Sequence, residues 1–487
     1  MTSIEKINYI EELPDSVDIA IVGGGIIGVF IAYELSRYNI KVIVIEKNSE
    51  LGFGVSRGQT GIIHVIQTPF KSLKSRLCIE GNKRYREYVK KLEVGYKEYD
   101  LYMVALGYLE SLILPFIWLI LRRNGYQCNM LRGATLRKKD PSLSDKVKLA
   151  IRVKGYGAVD SLNMIYALAE AASRNGVLFA VETEVTNISI NNNAKWVHTN
   201  RGIVKTNIVI DAAGLYSDKI ASYMGRKNIN ILPAKGANIV FDDPFHQKNF
   251  YVGLPIHRDP RTKGGGALLT WDGRIIWGPD FKVISDKEDT TIEKDNYRNL
   301  INKFSKIFKR MPNNPIRIYS GVRPINKDGG DFIIEDHMQN GLIILAGIDS
   351  PGFTSAPIIA QKVIDMVRRY LGKLTLKKRF IDSRRDINRV SRLSLDEIDK
   401  LITIDPDYGR IIGRDPPVSL GMVKEAIERG ARTLYGIMYR TGLYMGREAD
   451  MPMLDKILDI YSRASGGDID SLTLEGNNSY LLYKVDR

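Results

Sequence analysis

Apolar and polar positions along the chain alternate between two periods. Val17-Asp18-Ile19-Ala20-Ile21-Val22 is short and β-branched and reads as a buried strand. Gly23-Gly24-Gly25-Ile26-Ile27-Gly28 follows at once, then a helical run from Val29 to Tyr38 and a second strand, Lys41 to Ile45. Further on, Ser161–Asn175 reads as a helix and Glu182–Ile188 as a strand. Lys235–Phe241, Ala267–Thr270 and Arg274–Pro279 read as strands separated by turn residues. A helix is expected over Ala356–Tyr370 and another over Ser419–Arg429.

One stretch breaks this rhythm. Leu109 to Arg123 reads L-E-S-L-I-L-P-F-I-W-L-I-L-R-R, with ten consecutive apolar residues from Leu112 to Leu121. As a helix those residues span about 15 Å at ~1.5 Å each, short of the ~20 residues a membrane crossing needs. The run is apolar all round, so periodicity does not choose between a core helix, a homodimer interface and a peripheral membrane contact. Trp118, Arg122 and Arg123 suit the last. Pro115 kinks the helix or starts its second half.

The first strand, glycines, helix and second strand form a βαβ unit with G-x-G-x-x-G at its turn. Gly23 permits the tight turn, Gly25 lets the backbone approach a pyrophosphate, and Gly28 lets helix and strand pack closely. Free N–H groups and the dipole at the helix N-terminus favour the phosphates. Glu46, 18 residues after Gly28, is placed to accept hydrogen bonds from an adenosine ribose. An acid there argues against a 2′-phosphate.

Composition narrows the partners. The chain has 487 residues and a net charge of +15, enough for two or three domains and biased toward acidic partners. Its Lys and Arg are spread out, which disfavours nucleic acid and leaves a small anionic substrate or an anionic surface. Cys78 and Cys128 are the two cysteines; they support neither a disulfide framework nor a cysteine metal site. The N-terminus M-T-S-I-E-K-I-N-Y-I has no signal-like apolar region. The expected location is cytoplasmic, with peripheral contact on the inner membrane face if the apolar run meets lipid.

Small and polar residues in S-R-G-Q-T-G-I-I-H, Ser56 to His64, suit a loop beneath a pyrophosphate and a flavin ring. With K-S-L-K-S-R-L-C-I-E-G-N, Lys71 to Asn82, the chain resembles the D-amino-acid-oxidase-like superfamily of FAD oxidoreductases. The resemblance implies FAD held by Gly23, Gly25, Ile27, Gly28, Glu46, Lys47, Ser56, Gln59, Thr60, Gly61 and Ile62. It adds Val185 at the adenine, Ala213 and Gly214 in V-I-D-A-A-G, and Gly347, Gly352, Phe353 and Thr354. Those last four belong to a glycine loop opening a helix toward the flavin N1–C2=O edge, where it favours the anionic reduced ring.

Y-S-G-V-R-P, Tyr319 to Pro324, resembles the S-G-V-R-P of FAD-dependent glycerol-3-phosphate dehydrogenases. That likeness implies that Arg323 anchors substrate; a guanidinium fork matches phosphate or carboxylate. His64 is the expected base for the proton lost as hydride moves to flavin N5. His257 and Lys263, in P-I-H-R-D-P-R-T-K-G-G-G, are weaker substrate-binding candidates. Membrane-bound single-subunit dehydrogenases carry arginine four residues after the motif histidine, where Thr68 stands here. H-V-I-Q-T-P is closer to the anaerobic large subunit and to L-2-hydroxyglutarate dehydrogenases.

After Leu376 the chain turns charged, Lys377 to Arg392, and either wraps back or links. D-Y-G-R-I-I-G-R-D, Asp407 to Asp415, and R-T-G-L-Y-M-G-R-E, Arg440 to Glu448, resemble a bacterioferritin-associated-ferredoxin-type [2Fe–2S] domain. The ligand positions match Gly413, Asp415, Glu448 and a residue near Met453. None is cysteine, so no cluster and no metal is expected. Reduced flavin must then meet a quinone, dioxygen or a partner protein directly.

The expected fold is α/β: a Rossmann-like FAD domain interleaved with an antiparallel-sheet substrate domain, plus a small, mainly helical C-terminal domain. The FAD parts are 1–85, 156–225 and 326–376, the substrate parts 86–155 and 226–325, and the tail 377–487. The expected reaction is oxidation of sn-glycerol 3-phosphate to dihydroxyacetone phosphate. The alternatives are a 2-hydroxy-acid dehydrogenase and a non-catalytic flavoprotein platform for assembly.

Overall fold

The structure is a computed structural model. It describes residues 5–191, 194–243, 247–254, 264–446, 454–465, 472–476 and 479. Strand β1 (Ser16–Val22), helix α1 (Ile26–Leu35) and strand β2 (Val42–Ile45) form the anticipated unit. The helix starts at Ile26 and not Val29, because the chain turns into it directly after Gly25. β1 pairs in parallel with β2 and with Gly202–Asp211, which pairs in parallel with Leu342–Ala346. All four β2 residues are buried, as a strand covered on both faces requires. α1 packs between the sheet and the helices Ser161–Arg174 and Gly352–Leu371. Its Phe30 and Leu35 are fully buried, each contributing ~1.5–3 kcal/mol. The helix Gly352–Leu371 begins a turn before the expected Ala356.

The second sheet is ten-stranded, and it collects its members from both sides of the first sheet's segments. Tyr96–Ala105 and Leu149–Val159 pair antiparallel, and Phe250–Val252 joins the former in parallel. Ile231–Phe241 pairs antiparallel with Pro315–Asn326, carrying Arg323 opposite Ala234. The expected strand at Glu182 begins instead at Val185 and runs to Asn191. Glu182 has a φ of 52°, outside the extended region.

Helix α2 (Leu73–Lys91) lies against Gly352–Leu371. Helix α3 (Tyr108–Arg123) holds the apolar run and is not a core helix. Only Leu114 and Leu121 of it are buried, while Leu112 and Phe116 are 68% and 69% exposed. Among the described residues no helix is long and apolar enough to cross a membrane.

The charged segment after Leu376 wraps back. Arg384 ion-pairs with Glu170 at 2.6 Å and with Asp386 at 2.9 Å. Arg429 reaches the same Glu170 at 3.2 Å, and Arg440 pairs with buried Glu50 at 3.1 Å. These buried pairs fix the tail on the helix Ser161–Arg174 and on the loop after β2. Beyond them the tail has its own apolar core around Val423, Ile437 and Leu443, built from helices and one short hairpin, Ile411–Arg414 with Pro417–Ser419.

Candidate active site

A single cavity of about 1310 Å³ runs from the turn after β1 to Arg323. That exceeds the ~300–1,000 Å³ of ordinary small-ligand pockets and suits a dinucleotide with a substrate beside it.

At one end Gly23 has a φ of 109°, and a Cβ there would lie 2.4 Å from the Ala212 carbonyl oxygen. A Cβ on Gly28 would meet the Gly23 carbonyl oxygen at 2.0 Å, so Gly28 lies beneath the turn, outside the cavity lining. Gly25 and Ile27 line the cavity. The Glu46 carboxylate accepts from the Gly24 N–H at 2.7 Å and from the Asn48 N–H at 2.9 Å. Burial pushes its pKa up, against those hydrogen bonds and nearby Lys47. A ribose hydroxyl there would find an acceptor already fixed in place. Lys47, Val185, Ala213 and Gly214 line the same end, and Lys47 Nζ pairs with Glu288 at 2.6 Å.

The loop after β2 forms the middle. The Ile26 N–H donates to Ser56 Oγ at 3.1 Å, closing the N-terminus of α1. Ser56, Gln59, Thr60 and Ile62 line the cavity. Gly61 does not; its φ is 76°, and its N–H donates to Gln59 Oε1 at 2.8 Å. The Tyr319 hydroxyl donates to the Gln59 carbonyl at 3.2 Å, tying this loop to the Y-S-G-V-R-P strand.

His64, Ser350 and Arg323 also line the cavity. The His64 N–H donates to Thr354 Oγ1 at 3.0 Å, and its Nε2 lies 3.4 Å from Ser350 Oγ. Thr354 therefore positions His64 and is itself outside the cavity lining. Gly347 is also outside it, packed on Asn326, whereas Gly352 and Phe353 line it. The Arg323 guanidinium sits 5.2 Å over the Phe281 ring and donates to the Asp280 carbonyl at 3.3 Å. Burial pulls its pKa down, while Asp349 and Asp280 hold it up.

Among the described residues, three buried polar atoms of the cavity lining have no hydrogen-bond partner: Arg323 Nε, Gln59 Nε2 and Asn238 Oδ1. Unpaired buried groups are costly. Their presence around one large cavity fits polar ligands, and the glycine cradle beside them fits a dinucleotide.

Sequence reasoning did not assign Lys74, Asp331, Asp349, Ser350 or Asn238 to the site. Lys74 forms a buried ion pair with Asp349. Asp331 caps α2, accepting from the Leu73 and Lys74 N–H groups at 2.7 and 2.9 Å. The signal was present in K-S-L-K-S-R and I-D-S-P-G, but the pairing of these segments is tertiary. His257 and Lys263, like Glu448 and Met453, lie outside the described residues.

Sheet order, glycine turn and cavity together define a dinucleotide-binding oxidoreductase. The FAD dependent oxidoreductase family model matches residues 18–366, and the chain belongs to that family. Its cofactor is FAD. A glycerol 3-phosphate dehydrogenase of Caloramator mitchellensis is 31% identical over 473 residues, covering 96% of this chain and 98% of that one. A glycerol 3-phosphate oxidase of Mycoplasma genitalium is also 31% identical, over 74% of this chain and 96% of that one. The dithionite-reduced L-alpha-glycerophosphate oxidase of Mycoplasma pneumoniae, solved with FAD bound, superposes with a TM-score of 0.71 at 30% identity, covering 76% of this chain and 98% of that one.

Proposed function

We propose that this chain oxidises sn-glycerol 3-phosphate to dihydroxyacetone phosphate. The observation that carries the reading is Arg323: a guanidinium stacked on Phe281 at the cavity wall, with Nε buried and without a partner among the described residues. It has donor capacity left for an anionic group. The relatives named as glycerol 3-phosphate enzymes support phosphate over carboxylate.

His64 takes the C2 hydroxyl proton on Nε2, and Ser350 Oγ, 3.4 Å away, holds the ring. Bound FAD supplies the acceptor for the hydride leaving C2. Gly23, Gly25, Ile27, Glu46, Ser56 and Val185 hold the dinucleotide, the role their places along the cavity support. His257 and Lys263 remain proposed contacts of the substrate roof.

The electrons then pass to a quinone or an acceptor protein. The tail lacks thiolates at its ferredoxin-like positions, so it acts as a docking or scaffold element. Kinship to the anaerobic large-subunit type rests on that tail motif and on H-V-I-Q-T-P. Cys78 and Cys128 are buried and not joined in a disulfide, which suits a reducing, cytoplasmic site of action.

A carboxylate also matches the Arg323 fork, which keeps 2-hydroxy-acid oxidation as the second reading. Anaerobic mixing with glycerol 3-phosphate and with L-2-hydroxyglutarate separates them. Bleaching of the flavin by the phosphate alone supports the proposal. Bleaching by the hydroxy acid alone supports the second reading. No bleaching by either sinks both and favours an assembly platform.

A further inference from the structure

Helix α3 has two apolar faces. Leu114 and Leu121 are buried beneath it, and Ile117 and Leu121 contribute to the cavity wall. The outer face carries Leu109, Leu112, Ile113, Phe116, Leu119 and Ile120, all exposed. Their spacing, i, i+3, i+4, i+7, is that of a single helical stripe. A helix with this stripe in water would ordinarily bury it. The helix is held firmly enough to serve as a platform: Trp118 Nε1 donates to the Cys128 carbonyl at 3.3 Å on the strand Cys128–Arg132.

What covers the stripe is indicated by charge. Arg122 and Arg123 close the helix and are exposed; among the described residues neither has a carboxylate partner. The strand and short helix that follow add exposed Arg132, Lys138 and Lys139. The whole chain carries +15. A second copy would bring the same sign to the interface and be repelled. An anionic bilayer surface attracts it, and its acyl boundary accepts the apolar stripe.

We propose that the outer face of α3 seats this protein on an anionic lipid surface, the stripe from Leu109 to Ile120 entering the acyl boundary and Arg122 and Arg123 meeting headgroups. Since α3 is also cavity wall, docking brings the membrane within about one helix diameter, ~10 Å, of the site. The seat stands independently of which alcohol is oxidised.

The test is flotation of the holoprotein with vesicles of phosphatidylcholine alone and of a phosphatidylcholine–phosphatidylglycerol mixture. Binding to the mixed vesicles, weakened by salt, is expected. The triple variant Leu112→Ser, Phe116→Ser, Ile120→Ser should lose at least about tenfold in vesicle affinity and keep its melting temperature and dye-linked turnover, since these residues lie outside the cavity wall. Arg122→Glu and Arg123→Glu should each lose about fivefold or more. Failure to bind mixed vesicles overturns the proposal. So does equal binding to both vesicle types. A dimer in sedimentation that the triple variant splits, without vesicle binding, assigns the stripe to a second copy and also overturns it.

Discussion

Gly58 and Gly321 meet backbone to backbone: a Cβ on Gly58 would lie 2.4 Å from the Gly321 Cα, and one on Gly321 would lie 2.6 Å from the Gly58 Cα. The flavin loop and the strand bearing Arg323 are thus set one against the other with no side chain between them. The glycine of S-G-V-R-P is a spacing device that places the anion anchor beside the cofactor loop.

Replacing Gly321 with Ala should therefore push the two segments apart, because the clash is with backbone and no rotamer relieves it. The expected cost is about 1–3 kcal/mol, read as a lower melting temperature and less flavin bound per protein. Gly107→Ala, where a Cβ meets nothing within 4 Å and which lies outside the cavity lining, should leave both unchanged and serves as the control.

Arg323→Lys keeps a charge and loses the fork. With one charged hydrogen bond worth about 1.5–3 kcal/mol, kcat/KM for glycerol 3-phosphate should fall roughly 10–150-fold, mostly through KM. Steady-state kinetics with an artificial acceptor measures it. An unchanged KM would remove Arg323 from the substrate.

His64→Asn should reduce kcat by about 10²–10⁴-fold, the usual worth of a positioned base, with flavin content retained. Ser350→Ala should cost less, because its hydroxyl contacts His64 Nε2 but takes no proton from the substrate itself. If both variants bind flavin normally and turn over at the original rate, the base lies elsewhere.

Acid should loosen the tail. Asp386 is held down to about 2 by Arg389 and Arg384, against the opposing effect of burial, from an ordinary 3.8. A depressed carboxylate contributes stability above 3.8, and that contribution is lost as pH falls through about 2. The loss amounts to about 2 kcal/mol. Asp386→Asn should be less stable near neutrality and should show a flatter dependence between about pH 4 and 2 in urea unfolding.

Burying Lys74 against Asp349 makes the pair asymmetric in its response. Asp349→Asn leaves an ammonium buried without its counter-charge, a loss of about 3–5 kcal/mol. Chemical unfolding should show it, together with weaker flavin retention, because Asp349 sits in the loop opening the helix Gly352–Leu371. A variant as stable as the original would mean that water reaches Lys74.

Much of the nucleotide end was legible in the chain because its parts are local. The β1 turn, α1 and Glu46 lie within 31 residues, Ser16 to Glu46, and each glycine's role follows from geometry inside that unit. The substrate end was less legible. His64, Lys74, Arg323 and Ser350 come from four segments, and spacing along the chain carries no information about which of them meet. Helix α3 was ambiguous for a different reason: a segment apolar on all sides offers no periodicity to orient it, and only its neighbours show which face is left outside.

The sequence by itself determined the dinucleotide unit, the FAD loop motif and the arginine of S-G-V-R-P. These are properties of short segments, set by backbone freedom at glycine and by the chemistry of single side chains. Tertiary structure alone decided that Thr354 supports His64, that Asp349 neutralises Lys74, that Gly321 admits the flavin loop, and that α3 turns a greasy face outward. Each of those depends on which distant segments the two sheets bring together, and burial, charge pairing and close backbone contact exist only once they have met.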